Sequence, residues 1–427
     1  MTPLVVGTED PAATDASRFG PKAASLAVLG RAGLPVPRGF CIDAAAYRDQ
    51  ITALGLGDTA RRVMASDRAD ARHSALALRL ALLESAIATP LAAALLAAWD
   101  RLIGGATPGA VRSSALVEDR AASSFAGQFE SYLGLRGDDD FLTALRACWA
   151  ALWSPRALRY MAGAGIDPAE TAMAVLVQKL VSARASGGGL SRIAGGEMVL
   201  SASVGLGSAI AQGEVVPDRI RLDRAGRVLE IVAGDNDRRP SCAHGLRRPA
   251  HAARWRATAC GPCLTEREIA ELAELLLRAE AVFGGPVEIE WALDAAGFTL
   301  LQARPLVVAE PVAAEEPWQR QPDLRGHPAG IGWGTGPAVV VTCECELPRV
   351  GPGDILVTRV AGPALSQILP LVGGVVAELG GSTSHLASLA RERGVPMVLG
   401  VPDATRRIPD GARVAVDGVA GVVRWMR

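Results

Sequence analysis

GGSTSHLASLARERGVP, residues 380–396, carries the reading of this chain. A glycine-rich turn runs into a helix pattern, with Ser382, Thr383 or Ser384 available as the cap. Leu386, Leu389 and Ala390 form an inward face, and Gly394 followed by Pro396 ends the helix. His385 therefore falls in the first helical turn. No cysteine, aspartate or glutamate lies within five residues before it or six after it, so neither a metal nor an acid–base partner is local. The helix start supplies a partial positive charge instead. That field favours a neutral, nucleophilic imidazole and stabilises a dianion bonded to the ring. A histidine that accepts a phosphoryl group fits this setting, with a capping or core histidine as the structural alternative.

The surrounding sequence alternates short apolar runs with helices. PAVVVT, DILVT, GGVVAEL, PMVLGV, ARVAVD and VVRW read as strands, and ALSQILPLV (364–372) and SHLASLARER as helices. The C-terminal hundred residues thus form a compact β/α unit. The stretch AEPVAAEEPWQRQPDLRGHPAGIGWG, residues 309–334, is dense in proline, glycine and charge, and reads as a linker. The expected domains are 1–308, a linker at 309–325, and 326–427. The larger part mixes helices, at 21–32, 69–87, 91–103, 140–151 and 265–283, with strands at 172–181, 197–203 and 218–223 and a hairpin at 286–305.

Composition narrows the function. The 427 residues carry 44 basic and 45 acidic side chains, which gives no basic footprint for nucleic acid. No apolar run is long enough to span a membrane. The start, MTPLVVGTEDP, lacks the features of a signal peptide, and a cytoplasmic location is expected. Seven cysteines in so long a chain do not form a disulfide framework. Cys260-Gly-Pro-Cys263 copies a redox spacing without a thioredoxin-like setting. Cys242, His244, His251, Cys260 and Cys263 match no standard zinc scheme. Lys22 and Lys179 are the only lysines in an arginine-rich chain, and Lys22 reads as a retained point charge.

Two further stretches bear on phosphate chemistry. In GAVRSSALVEDRAASSFAGQFESYLGL (109–135), Arg112 precedes a small-residue loop that includes Gly127 and Gln128. Such loops bring backbone N–H groups close to phosphate oxygens, and Arg112 adds a fixed cation. In EIEWALDAAGFTLLQARP, Glu288 and Glu290 share one face of a strand, and Gln302 and Arg304 share one face of its partner. Oxygen ligands of this kind suit Mg²⁺ on nucleotide phosphates, and the arginine suits the phosphates. A solvent-facing charged hairpin is the alternative.

Taken together and in order, FGPKAASLAVLGRAGLPVPRGF, the Arg112 stretch, AVLVQKLV, GLGSAIAQGEVVPD, the hairpin and the His385 stretch resemble the phosphoenolpyruvate synthase, pyruvate phosphate dikinase and rifampicin phosphotransferase family. The resemblance implies an α/β (α+β) chain with an ATP-grasp-like nucleotide-binding domain followed by a swivelling phosphohistidine domain. It implies ATP and Mg²⁺ as cofactors. Lys22 and Arg112 would contact ATP phosphates, the loop at Gly127 and Gln128 would cover them, and Gln178 would lie beside the adenine. Glu290 and Gln302 would hold Mg²⁺, Arg304 would bind phosphate, and His385 would carry the β-phosphoryl group as ATP is split to AMP and phosphate. ASGGGLSRIAGGE departs from the family's SGVxFTxDPxTG, and Ser208 stands where GLGE has its glutamate. No third, acceptor-binding domain is recognisable. The acceptor is therefore expected to be either a small molecule taken up by this chain or a site on a separate subunit, as in split phosphotransferases such as phenylphosphate synthase.

Overall fold

The structure is a computed structural model, and it describes residues 3–65, 68–104, 107–118, 128–234, 262–308 and 322–426. It has the expected mixture of helices and strands, in two compact units: residues 1–182 with 278–305, and residues 183–277 with 306–427. Among the described residues no single helix is long and apolar enough to cross a membrane.

The first unit is built on a five-stranded antiparallel sheet in the order Val5–Gly7, Gly39–Ile42, Met173–Lys179, Gly109–Ala115, Ser131–Leu135. Its central strand, MAVLVQK, is buried up to its last residue, as a continuous apolar run predicts. Trp99 stacks on Phe141 at 4.7 Å beneath it. The helix Ala16–Arg31 is bent at Gly20, whose φ of 73° lies in the left-handed region. A side chain there would strike the Ser114 carbonyl. Gly20 thus lets the helix press on the strand Gly109–Ala115, and Pro21 restarts it with its first turn facing that strand. The hairpin of Val287–Asp294 and Gly297–Pro305 completes this unit, turning where the Asp294 carboxylate accepts from the Ala296 amide at 2.8 Å.

The second unit contains an antiparallel run of Ala185–Leu190, Met198–Val204, Asp218–Leu222 and Val228–Val232. It also contains an eight-stranded sheet in the order Leu324–Arg325, Val422–Trp425, Arg413–Asp417, Trp333–Val341, Ile355–Thr358, Gly374–Ala377, Met397–Leu399, His327–Pro328. Four of these strands, Trp333–Val341 through Met397–Leu399, pair in parallel. Ile355, Val357, Val376, Val398, Val414 and Val416 fill the core around them. Parallel strands need crossovers, and the helix His385–Arg393 lies in the crossover from Gly374–Ala377 to Met397–Leu399. His385 accordingly stands beyond the carboxyl ends of parallel strands, where open α/β sheets place ligands.

Some local readings differ. The expected helix at 364–372 is only a 3₁₀ turn, Pro363–Gln367, because Pro370 has no N–H to continue it. The segments 44–53, 57–65 and 155–163 are helices that the apolar pattern did not mark. ASGGGL is a fully buried strand despite its three glycines. The later part of the linker-like stretch supplies two short strands, Leu324–Arg325 and His327–Pro328, to the edges of the eight-stranded sheet.

Candidate active site

The strand Gly109–Ala115 and the hairpin converge on Arg112. Its guanidinium donates to the Leu301 carbonyl at 2.6 Å, to Glu290 Oε2 at 3.0 Å and to Gln302 Oε1 at 2.8 Å. The hairpin register sets Glu290 opposite Gln302 and Glu288 opposite Arg304, so all four polar side chains occupy one face. The next pair is buried, with Arg304 3.1 Å from Glu288 and side chains 8% and 5% exposed. Charges this far from water require such pairing.

Lys22 reaches the same strand from the bent helix. Its ammonium donates to Glu118 Oε1 at 3.0 Å and to the Ser113 carbonyl at 3.2 Å. Glu118 is fully buried and is a residue that the sequence reading missed, although it stands only six positions after Arg112. Cys148 lies near this pair; burial pushes its thiol up, against the lowering pull of Lys22.

Gln128 is buried, and its backbone carbonyl accepts from Arg156 Nε at 3.3 Å and its terminal nitrogen at 3.0 Å. Arg156, another missed residue, has its pKa lowered by burial, an effect that Glu130 opposes. Gly127 lies outside the described residues, as do residues 119–126 before it, and Cys242, His244, His251 and Cys260. Gln178 is buried on the central strand, opposite Ala110 and Gly39, and its side-chain N–H₂ has no hydrogen-bond partner among the described residues. An unmet buried donor is a place where a ligand atom would be welcome.

The first unit therefore gathers Lys22, Arg112, Glu290, Gln302 and Arg304. His385 belongs to the second unit. Ser384 caps its helix, accepting from the Ala387 amide at 3.3 Å, and Gly394 closes it. Arg391, buried at the far end, donates to the Ser382 carbonyl at 2.6 Å and to Ser388 Oγ at 3.1 Å. Ser382 Oγ in turn donates to the Pro328 carbonyl at 2.6 Å. These bonds tie the loop before His385 to its own helix and to the sheet edge.

Glu290 and Gln302 set hard oxygens directly across from each other, the donor type a divalent cation takes, and the Arg112 guanidinium holds one oxygen of each. Among the described residues no group of three or more His, Cys, Asp or Glu could hold a metal alone. An ion that takes most of its shell from phosphate and water, as Mg²⁺ does, needs no more than such a pair.

A cation-rich, oxygen-lined face in one unit and a helix-start histidine in the other define a nucleotide-handling domain coupled to a histidine-bearing β/α domain. The pyruvate phosphate dikinase AMP/ATP-binding domain matches residues 16–323, and the mobile domain of PEP-utilising enzymes matches residues 350–421. The chain belongs to the pyruvate phosphate dikinase family of PEP-utilising enzymes. It is 33% identical to the phosphoenolpyruvate synthase of Aeropyrum pernix, over 95% of this chain and 56% of that protein. It is 32% identical to a probable phosphoenolpyruvate synthase of Archaeoglobus fulgidus, over 96% of this chain and 56% of that protein. With the phosphoenolpyruvate synthase of Pyrococcus furiosus the identity is 30%, over 97% and 58%. The chain thus spans somewhat more than half the length of these relatives. A D-alanine-D-alanine ligase structure from Coxiella burnetii aligns with 70% of this chain and 50% of its own at 11% identity, with a TM-score of 0.28 too low to bear on the fold.

Proposed function

We propose that this chain is an ATP-dependent, dikinase-type phosphotransferase in which His385 carries the phosphoryl group. The observation that supports it most is the pairing of an AMP/ATP-binding domain with a mobile domain whose helix opens on His385. In the balanced reaction, ATP and one water yield AMP, inorganic phosphate and phosphorylated His385, the histidine nitrogen gaining the bond to the β-phosphorus. Arg112, Lys22 and Arg304 bind the phosphates and orient them; Gln128 would join in covering them. Gln178 offers its unmet N–H₂ to the adenine. Glu290 and Gln302 would hold Mg²⁺, which supplies neutralising charge to the phosphate oxygens. The helix start then favours the dianion on His385. We place the functional boundary in the linker at 309–325 and the protein in the cytoplasm.

Pyruvate is the first acceptor to test, because the relatives are phosphoenolpyruvate synthases. The decisive experiment incubates the protein with β-labelled ATP and Mg²⁺. An acid-labile, base-stable phosphoprotein that disappears in His385→Ala is expected, and no label in the wild type would refute the proposal. Release of the label to pyruvate, or only to a separate acceptor protein, then decides between a self-sufficient enzyme and a split one.

A further inference from the structure

The strand Ala185–Leu190 is the segment that departs from the family pattern, and its glycines need an explanation. Glycine weakens a strand, and where it persists it often marks the close approach of another part of the chain. At Gly188 that approach is visible. A Cβ added there would lie 2.6 Å from the Cβ of Thr383, two residues before His385. The Thr383 hydroxyl is buried with no hydrogen-bond partner among the described residues. Beside it the Gly380 amide donates to the Val215 carbonyl at 3.1 Å. A Cβ on Gly381 would lie 2.6 Å from Cγ of Pro217. All of these residues belong to the second unit.

The surface has two properties that belong together. It is closely fitted, since even one methyl group at Gly188 has no room. It also buries the Thr383 hydroxyl with no hydrogen-bond partner among the described residues. Close fit fixes where a loop sits, and an unmet hydroxyl lowers the cost of its leaving. The family model that matches residues 350–421 is that of a mobile domain, and Thr383 lies within it.

We propose that the strand Ala185–Leu190 and the turn at 213–217 form the docking seat of the loop that carries His385, with Gly188 as the positioning residue that sets how the loop sits when His385 is phosphorylated. The proposal rests on the phosphohistidine reading above. It turns the ASGGGL departure into a specific feature: glycine at 188 leaves the room that Thr383 takes.

The test uses Gly188→Val, Gly188→Ala, Thr383→Gly and the Gly188→Ala/Thr383→Gly pair in the full chain. Labelling of His385 from β-labelled ATP is followed together with hydrogen exchange at the Gly380 amide. Gly188→Val is expected to slow labelling by about tenfold or more, because misplacing a reacting group by even about 1 Å is costly. It is also expected to speed exchange at Gly380. The double variant should label at the rate of Thr383→Gly alone, since removing the threonine side chain makes room for the alanine methyl. Wild-type labelling and exchange in Gly188→Val would overturn the proposal, as would a double variant slower than either single one. Should Gly188→Val not fold, the Gly188→Ala pair decides by the same two readouts. If the wild type takes no label, the phosphohistidine reading fails. Exchange at Gly380 then still decides the seat, which stands if Gly188 substitution speeds it and falls if it does not.

Discussion

At Arg112, a strand and a hairpin 178 to 190 positions further along the chain meet through charged hydrogen bonds, and a buried Arg304–Glu288 pair backs them on the same hairpin face. At His385, a single βαβ crossover supplies the turn, the cap and the helix, and the loop is tied by short bonds from Ser382 and Arg391. The first region is a fixed, strongly paired array. The second sets its histidine on a local motif of turn, cap and helix. Under the proposed function, a phosphate-binding face gains from rigidity, because its charges must already point at the transferring group. A carrier histidine gains from a self-contained motif, because it must keep one geometry at both donor and acceptor.

Breaking the array where it is most buried should cost the most. Glu288→Ala removes the carboxylate paired with the buried Arg304 guanidinium, and loss of about 3–5 kcal/mol of stability is expected. Urea unfolding measures it, and a change below about 1 kcal/mol would mean that water reaches the arginine.

The second unit should instead reveal itself through pH. His327 is buried, and burial with a smaller push from Arg219 lowers its pKa from 6.5 to about 4. The folded chain therefore binds fewer protons here than the unfolded chain between those values. The stability that this neutral histidine permits is complete above about pH 6.5 and falls as pH drops toward 4. About 2 kcal/mol should be lost between about pH 7 and about pH 5, and His327→Gln should remove that slope. Equal slopes in the two proteins would place the titration elsewhere.

Arg112→Lys sharpens the comparison at the array. Lysine keeps the charge but cannot serve three acceptors in a fixed fork. His385 labelling should fall about tenfold to hundredfold with the fold intact, which circular dichroism and a labelling time course would show. A wild-type rate would reduce Arg112 to a simple counter-charge. The smallest effect is expected at the carrier's own cap: Ser384→Ala should cost about 1 kcal/mol, seen as a small drop in melting temperature.

Legibility in the sequence followed the range of the interactions. The His385 turn, cap, helix and stop were readable because they lie within about one βαβ unit and depend on glycine, serine and apolar spacing. The hairpin was readable from its alternation, and its register then placed Glu290 against Gln302. Glu118 and Arg156 were not, because a buried carboxylate and a half-buried guanidinium look like any surface charge until their partners are known. At 364–372 a good apolar spacing gives only a 3₁₀ turn, because Pro370 stops the helix.

By itself the sequence determined the fold class, the histidine at a helix start and the residue types needed to handle phosphate, since these follow from local periodicity and chemical type. Only the tertiary structure decided that Arg112 closes on Glu290 and Gln302, that Lys22 is answered by Glu118, and that Gly188 receives Thr383. Those pairings join residues 96 to 195 positions apart, and the distances that make them contacts exist only after the core has packed.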